Sequence, residues 1–150
     1  MKKINNIIFL TLILFFFGIY IAYLRGSNFS DADSFSVINA FLSLFHQNEY
    51  SPSRGAYGHP IPEVLIGFLA YNFGTRISNV FCFILFFISI ILFYKTFLKN
   101  DNRNIYLFVL LVLSNSYLFL ENTNSIDYPI ALFFLSLGFY FLKNQNYLLA

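Results

Sequence analysis

Asp31 and Asp33 stand one residue apart at the point where a helix is expected to begin. The partial positive charge of a helix amino terminus favours the ionised carboxylate, and an ionised carboxylate suits a base that takes a proton from an incoming hydroxyl. Either acid can instead serve only as a helix cap, worth on the order of 1 kcal/mol. Further on, His59, Pro60, Ile61, Pro62 and Glu63 set an imidazole and a carboxylate at the head of a short apolar segment, with two prolines stiffening the entry. This pair could bind a metal or a sugar hydroxyl, or orient an acceptor. The structural alternative is a solvated His59 and a Glu63 that only complements a helix dipole.

Arg54 is the candidate for phosphate, because its guanidinium offers a fork of donors matched to phosphate oxygens and the turn before it fixes its direction. Arg25 and Arg76 have the ordinary explanation of snorkelling from helix ends to an interface. Asp127, followed by Tyr128 and Pro129, brings a carboxylate from much later in the chain. A divalent metal would want about three protein ligands, which His59, Glu63 and Asp127 supply only if the fold joins them. No metal ligand is assigned on that basis; a divalent metal stays open as a cofactor and no other is expected.

Most of these residues lie in one stretch. Residues 31–63 hold four of the seven acids, both histidines and three of the four prolines. Around them the chain is apolar: 58% hydrophobic and 11% charged, against about 45–50% and about 25% in soluble proteins. That composition excludes an ordinary soluble domain. The net charge of +2 comes from basic residues scattered between apolar runs and says little by itself about nucleic acid, and no nucleic-acid partner is expected. The single cysteine, Cys82, sits in an apolar run and rules out an internal disulfide.

The elements that must position the polar residues follow from hydropathy. Residues 7–24, 77–94, 105–120 and 128–142 are apolar runs read as membrane spans. The first is longer than a signal-peptide core and ends at Tyr23, Leu24 and Arg25 rather than at small residues, so it is read as an uncleaved anchor. Residues 30–47 predict a surface helix capped by Ser30, with Phe35, Ile38, Phe41 or Leu42, and Phe45 on the apolar face and Ser36, Ser43 and Gln47 opposite. Residues 49–58 form a loop. The apolar run 61–73 is only 13 residues long, which suits an interfacial segment rather than a span. Asn28, Phe29 and Ser30 match a glycosylation sequon by chance, and the tyrosines at 20, 23, 94, 106, 117 and 140 read as interface belts.

Charge sets the orientation. If 61–73 does not cross, Lys2, Lys3, Lys95, Lys99, Arg103 and Lys143 share the inner face, six of the nine basic residues. If it crosses, only three remain inside. The excess of basic residues on cytoplasmic loops favours the first arrangement. The expected architecture is therefore an all-α membrane protein of about four spans, with its amino terminus cytoplasmic. Interfacial helices occupy an outer loop over 25–76, and six of the seven acids lie outside, with Asp101 alone inside.

The order of these pieces resembles the GT-C glycosyltransferases, in particular the protein O-mannosyltransferases and lipid A aminoarabinose transferases. The resemblance rests on three motifs: Asp31 four residues before Phe35, the turn from Tyr50 to Arg54 leading into His59 through Glu63, and Asp127 at the head of a span. Such enzymes often carry Glu directly after the catalytic Asp. Here Ala32 takes that place and a second acid follows at Asp33, so the choice between the two stays open. The resemblance implies transfer of a sugar from a polyprenyl-phosphate donor to a glycan, lipid or protein acceptor on the outer face of the plasma (inner) membrane. Asp31 or Asp33 would be the base and Arg54 would hold the donor phosphate; His59 would contact substrate, and Glu63 and Asp127 would shape the site. Members have many more spans, so the chain is expected to correspond to their amino-terminal portion. Two other readings compete: a small non-enzymatic multi-span protein, and an inactive remnant.

Overall fold

The computed structural model describes residues 2–26, 32–53, 59–98 and 102–144. Among them are seven helices and no strand: α1 (Lys2–Arg25), α2 (Ala32–Gln47), α3 (Pro60–Phe73), α4 (Thr75–Phe97), α5 (Asn102–Ser114), α6 (Ser116–Glu121) and α7 (Tyr128–Lys143). The expected helical cap Ser30, the sequon and two candidate site residues, Asp31 and Arg54, lie outside the described residues.

α1 and α4 are uninterrupted apolar stretches, long and apolar enough to cross a membrane over Asn6–Arg25 and Thr75–Phe97. Asn104–Ser114 and Tyr128–Lys143 are apolar but shorter. The run read from sequence as one span over 105–120 is two helices. Asn115 is the cause: its side chain accepts the Leu118 N–H at 3.1 Å and starts α6 afresh, as an N-cap does. Gly74 joins α3 to α4 at φ 84°, a backbone region that a side chain disfavours, and its N–H closes α3 on the Ala70 carbonyl at 3.0 Å.

The ends of the helices pair in a way that fixes their directions. Thr75 Oγ1 donates to the Gly26 carbonyl, so the chain between α1 and α4 leaves and returns at one end of the bundle. α2 and α3 form a hairpin inside that excursion. They approach closely where Gly67 meets Phe41: a Cβ on Gly67 would lie 2.0 Å from Phe41 Cβ. At the opposite end Lys143 Nζ donates to the carbonyls of Lys95 (3.0 Å) and Thr96 (2.6 Å), closing the carboxyl end of α4 with a cation. α4 and α7 therefore run side by side in the same direction. α1 lies against α4 through Gly18, where a Cβ would sit 2.0 Å from the Phe83 ring.

Two apolar clusters result. One gathers Ala22, Phe83, Phe86, Ile90, Val109, Leu113 and Phe119 from α1, α4, α5 and α6. The other joins the α2–α3 hairpin to α4 and α7 through Val37, Ile38, Ile66, Ala70, Cys82 and Ile130. Cys82 is a buried free thiol, as its surroundings in the sequence imply. The expected apolar face of α2 is buried only in part: Ile38 and Phe41 are buried, Phe35 and Phe45 are each 56% exposed, and Val37, Ala40 and Ser43 are buried beside them. The helix packs against α3, and Ser43 Oγ accepts the Ser51 N–H at 3.1 Å, so the face expected to be polar anchors the loop that follows.

The surface is apolar and part of the interior is polar. Phe9, Phe16, Leu111 and Leu142 project outward at about 60% exposure, while Ser78, Asn79, Ser89 and Ser136 are buried.

Candidate functional site

The end of the bundle at Gly26 and Thr75 is where the polar residues collect. Glu63, in the first turn of α3, is fully buried. Its Oε1 accepts the Ser53 N–H (3.3 Å), the Ser53 hydroxyl (2.5 Å) and the His59 N–H (3.1 Å), and its Oε2 accepts the Tyr50 hydroxyl. The bond back to His59, the residue that precedes the helix, works like the acidic half of a capping box. Burial by itself pushes the Glu63 carboxyl upward, but the hydrogen bonds from Ser53, Tyr50 and His59 outweigh it and hold the group below the ordinary carboxylate range. Tyr50 moves the other way. Burial, its bond to Glu63 and the Glu63 charge push the phenol up to about 12, so it stays a donor.

Glu63 thereby fixes the segment that ends at His59. Pro60 at the first position of α3 sets the exit, and His59 Nδ1 meets Asp127 Oδ2 across 68 residues of sequence. The Asp127 side chain is 3% exposed and that of His59 54%. With Nδ1–H donating to the carboxylate, Nε2 is the ring atom left for a bound molecule. Beside the pair, His59, Pro60, Ile61, Pro62, Ala131 and Phe134 line a groove of about 400 Å³. Apart from His59 its walls are apolar, and it lies between the heads of α3 and α7.

Asp127 is held by a buried polar turn over residues 122–127. Ser125 Oγ contacts Ser78 Oγ and donates to Asn79 Oδ1 at 2.5 Å, while Asn79 Nδ2 donates to the Ala22 carbonyl at 3.2 Å. Arg25 donates to the Leu120 carbonyl (2.5 Å) and to Thr123 Oγ1 (2.9 Å), so it closes α6 and anchors the turn. Arg76 lies over the Tyr23 ring, 4.9 Å from its centre, at the exposed rim.

The fold thus brings His59, Glu63 and Asp127 to one place. Asp33 stands exposed in the first turn of α2, where its carbonyl accepts the Ser36 hydroxyl at 2.9 Å. Among the described residues no three His, Cys, Asp or Glu side chains converge to hold a metal ion. Glu63 does not point its carboxylate at an ion but spends both oxygens on the loop. Sequence reasoning passed over Tyr50, Ser53, Ser78, Asn79, Thr123 and Ser125. The adjacent Ser78 and Asn79 were the available signal, since two polar residues inside an apolar run are costly unless they bond inside a bundle.

The class defined by this fold and site is an all-helical bundle with two helices of membrane-crossing length and a His–Asp link beside an apolar groove at one end. No family model, curated protein or solved structure matches the chain.

Proposed function

We propose that the chain is a four-span membrane protein whose extracytoplasmic end forms a glycosyl-transfer site of the GT-C kind, taking a sugar from a polyprenyl-phosphate donor. Support for the membrane reading comes from the distribution of polarity: large apolar side chains face outward while serines and Asn79 are buried. α5 with α6, and α7, complete the two shorter crossings. Lys95 and Lys143 share one end and Arg25 and Arg76 the other. In the topology expected from the sequence Lys2, Lys3, Lys99 and Arg103 join the first end, making six of the nine basic residues, and the positive-inside preference favours that end as cytoplasmic. Orientation is tested with single cysteines at Glu49 and Leu98, both exposed and on opposite ends, Cys82 being buried. An impermeant maleimide added outside is expected to label position 49 and spare 98. Labelling at 98 contradicts the orientation.

The observation that carries the transferase reading is the groove lined at one end by His59, whose ring meets Asp127. An apolar channel between two helix heads suits an isoprenoid tail, and the half-exposed imidazole at its end suits a phosphate or sugar hydroxyl. By the resemblance Asp31 or Asp33 would supply the base and Arg54 the phosphate contact, Asp33 standing at the end of α2 away from the loop on Glu63, while Glu63 and Asp127 would shape the site from within. Filling the groove tests this. Ala131→Phe is expected to weaken binding of a short-chain polyprenyl phosphate in micelles by about tenfold, the loss of roughly 1.4 kcal/mol of apolar contact. Unchanged affinity contradicts the groove's role.

The competing reading, a non-enzymatic membrane protein, is favoured by one specific fact: Glu63 spends both carboxylate oxygens, and Arg25 its Nη1, on hydrogen bonds inside the fold. It expects no donor binding and no consequence of changing Asp31 or Asp33.

A further inference from the structure

A second groove, of about 430 Å³, lies at the other half of the bundle between α1, α4 and α5. Its walls are Leu12, Phe87, Ile91, Ile105 and Val109, with Thr11, whose hydroxyl donates to the Ile7 and Tyr106 carbonyls, and Lys95 and Tyr106 stand at its polar end. From Lys95 to Phe87 it follows α4 for eight residues, roughly 12 Å at about 1.5 Å per residue. Lys143 already serves the carbonyls that close α4, donating to Lys95 and Thr96. The Lys95 ammonium has no hydrogen bond or ion pair with a described residue and is exposed at the groove's end.

A largely apolar slot of roughly 12 Å, most of the hydrocarbon depth of one leaflet at about 15 Å, with one cation and one phenol at the end assigned to the cytoplasm, is complementary to a single kind of occupant. We infer that this groove holds an acyl chain of an anionic phospholipid of the cytoplasmic leaflet, with Lys95 and Tyr106 on its phosphodiester. Basic pockets between helices on the cytoplasmic side bind such headgroups, and Tyr106 adds a hydroxyl donor next to the phosphate. Charge decides against a zwitterionic lipid, whose own ammonium would compete with Lys95. The inference rests on the membrane reading and its orientation, and is independent of sugar transfer.

The test is native mass spectrometry of the protein released from nanodiscs of phosphatidylcholine containing phosphatidylglycerol as the minor lipid. The wild type is expected to retain phosphatidylglycerol about fivefold above its share, the factor one lysine near an anionic surface supplies. Lys95→Gln is expected to lose that preference and Lys95→Arg to keep it. Ile91→Phe, which narrows the groove without touching charge, is expected to lower total lipid retained. Retention at the nanodisc ratio by the wild type, or equal enrichment in wild type and Lys95→Gln, overturns the inference. Failure of the wild type to enter nanodiscs overturns the membrane reading along with it, whereas loss of sugar transfer leaves it standing.

Discussion

Replacing Asp31 by asparagine is expected to slow sugar transfer by about 10²–10⁴-fold, the usual contribution of a positioned general base, with little change in stability. Asparagine keeps the size of the side chain and caps a helix about as well as aspartate, so the structural job survives while the proton acceptor is removed. Asp33→Asn is expected to cost less, because Asp33 sits in the first turn of α2 where a carboxylate complements the helix end. The reverse order, with Asp33→Asn inactive and Asp31→Asn unimpaired, reassigns the base to Asp33. Arg54→Lys retains charge and loses the donor fork, so donor affinity is expected to fall more than turnover.

The second large effect is on the loop. Glu63→Leu leaves the Tyr50 hydroxyl, both Ser53 donors and the His59 N–H without their acceptor in a place shielded from water. Stranded buried donors cost about 1–3 kcal/mol each, so a destabilisation on the order of 4 kcal/mol is expected, with loss of the His59–Asp127 link. Glu63→Gln presents an oxygen to the same cluster and is expected to be much milder. Acid separates the two from the wild type. The folded-state Glu63 carboxyl is held below its ordinary range, so its stabilisation is complete above the ordinary carboxylate pKa and is lost as pH falls through the depressed value. Thermal unfolding in detergent is expected to show a wild-type advantage over Glu63→Gln at neutral pH that shrinks below about pH 4. A constant advantage down to strong acid contradicts the role given to the carboxylate.

Much of the architecture was legible because hydropathy period and helix stops are local. The apolar segments around 60–73 and 128–143 and the return of the chain to one end follow from run length, prolines and charge. The meeting of His59 with Asp127 could be stated only as a condition, since a contact across 68 residues depends on how helices pack. Two local misreadings have definite causes. Asn115, with Ser114 and Ser116 on either side, competes for the backbone and splits a run that was read as one span. α2 buries Ile38 and Phe41 of its expected face but also Val37, Ala40 and Ser43, because its partner is α3, and Gly67, which admits Phe41 so closely, carries no periodic signal. The roles of Tyr50 and Ser53 were hidden for another reason: a loop hydroxyl does not announce which carboxylate it will meet.

Sugar transfer itself is the most direct test. The protein is reconstituted in sealed proteoliposomes with polyprenyl phosphate carrying a labelled sugar, and label passing to an external acceptor is counted for wild type and for Asp31→Asn with Asp33→Asn combined. Transfer by the wild type, abolished in the double variant with its fold intact, is the expected result. Equal transfer by both proteins, or donor bound by neither, contradicts a transferase site at the end of the bundle where His59 meets Asp127.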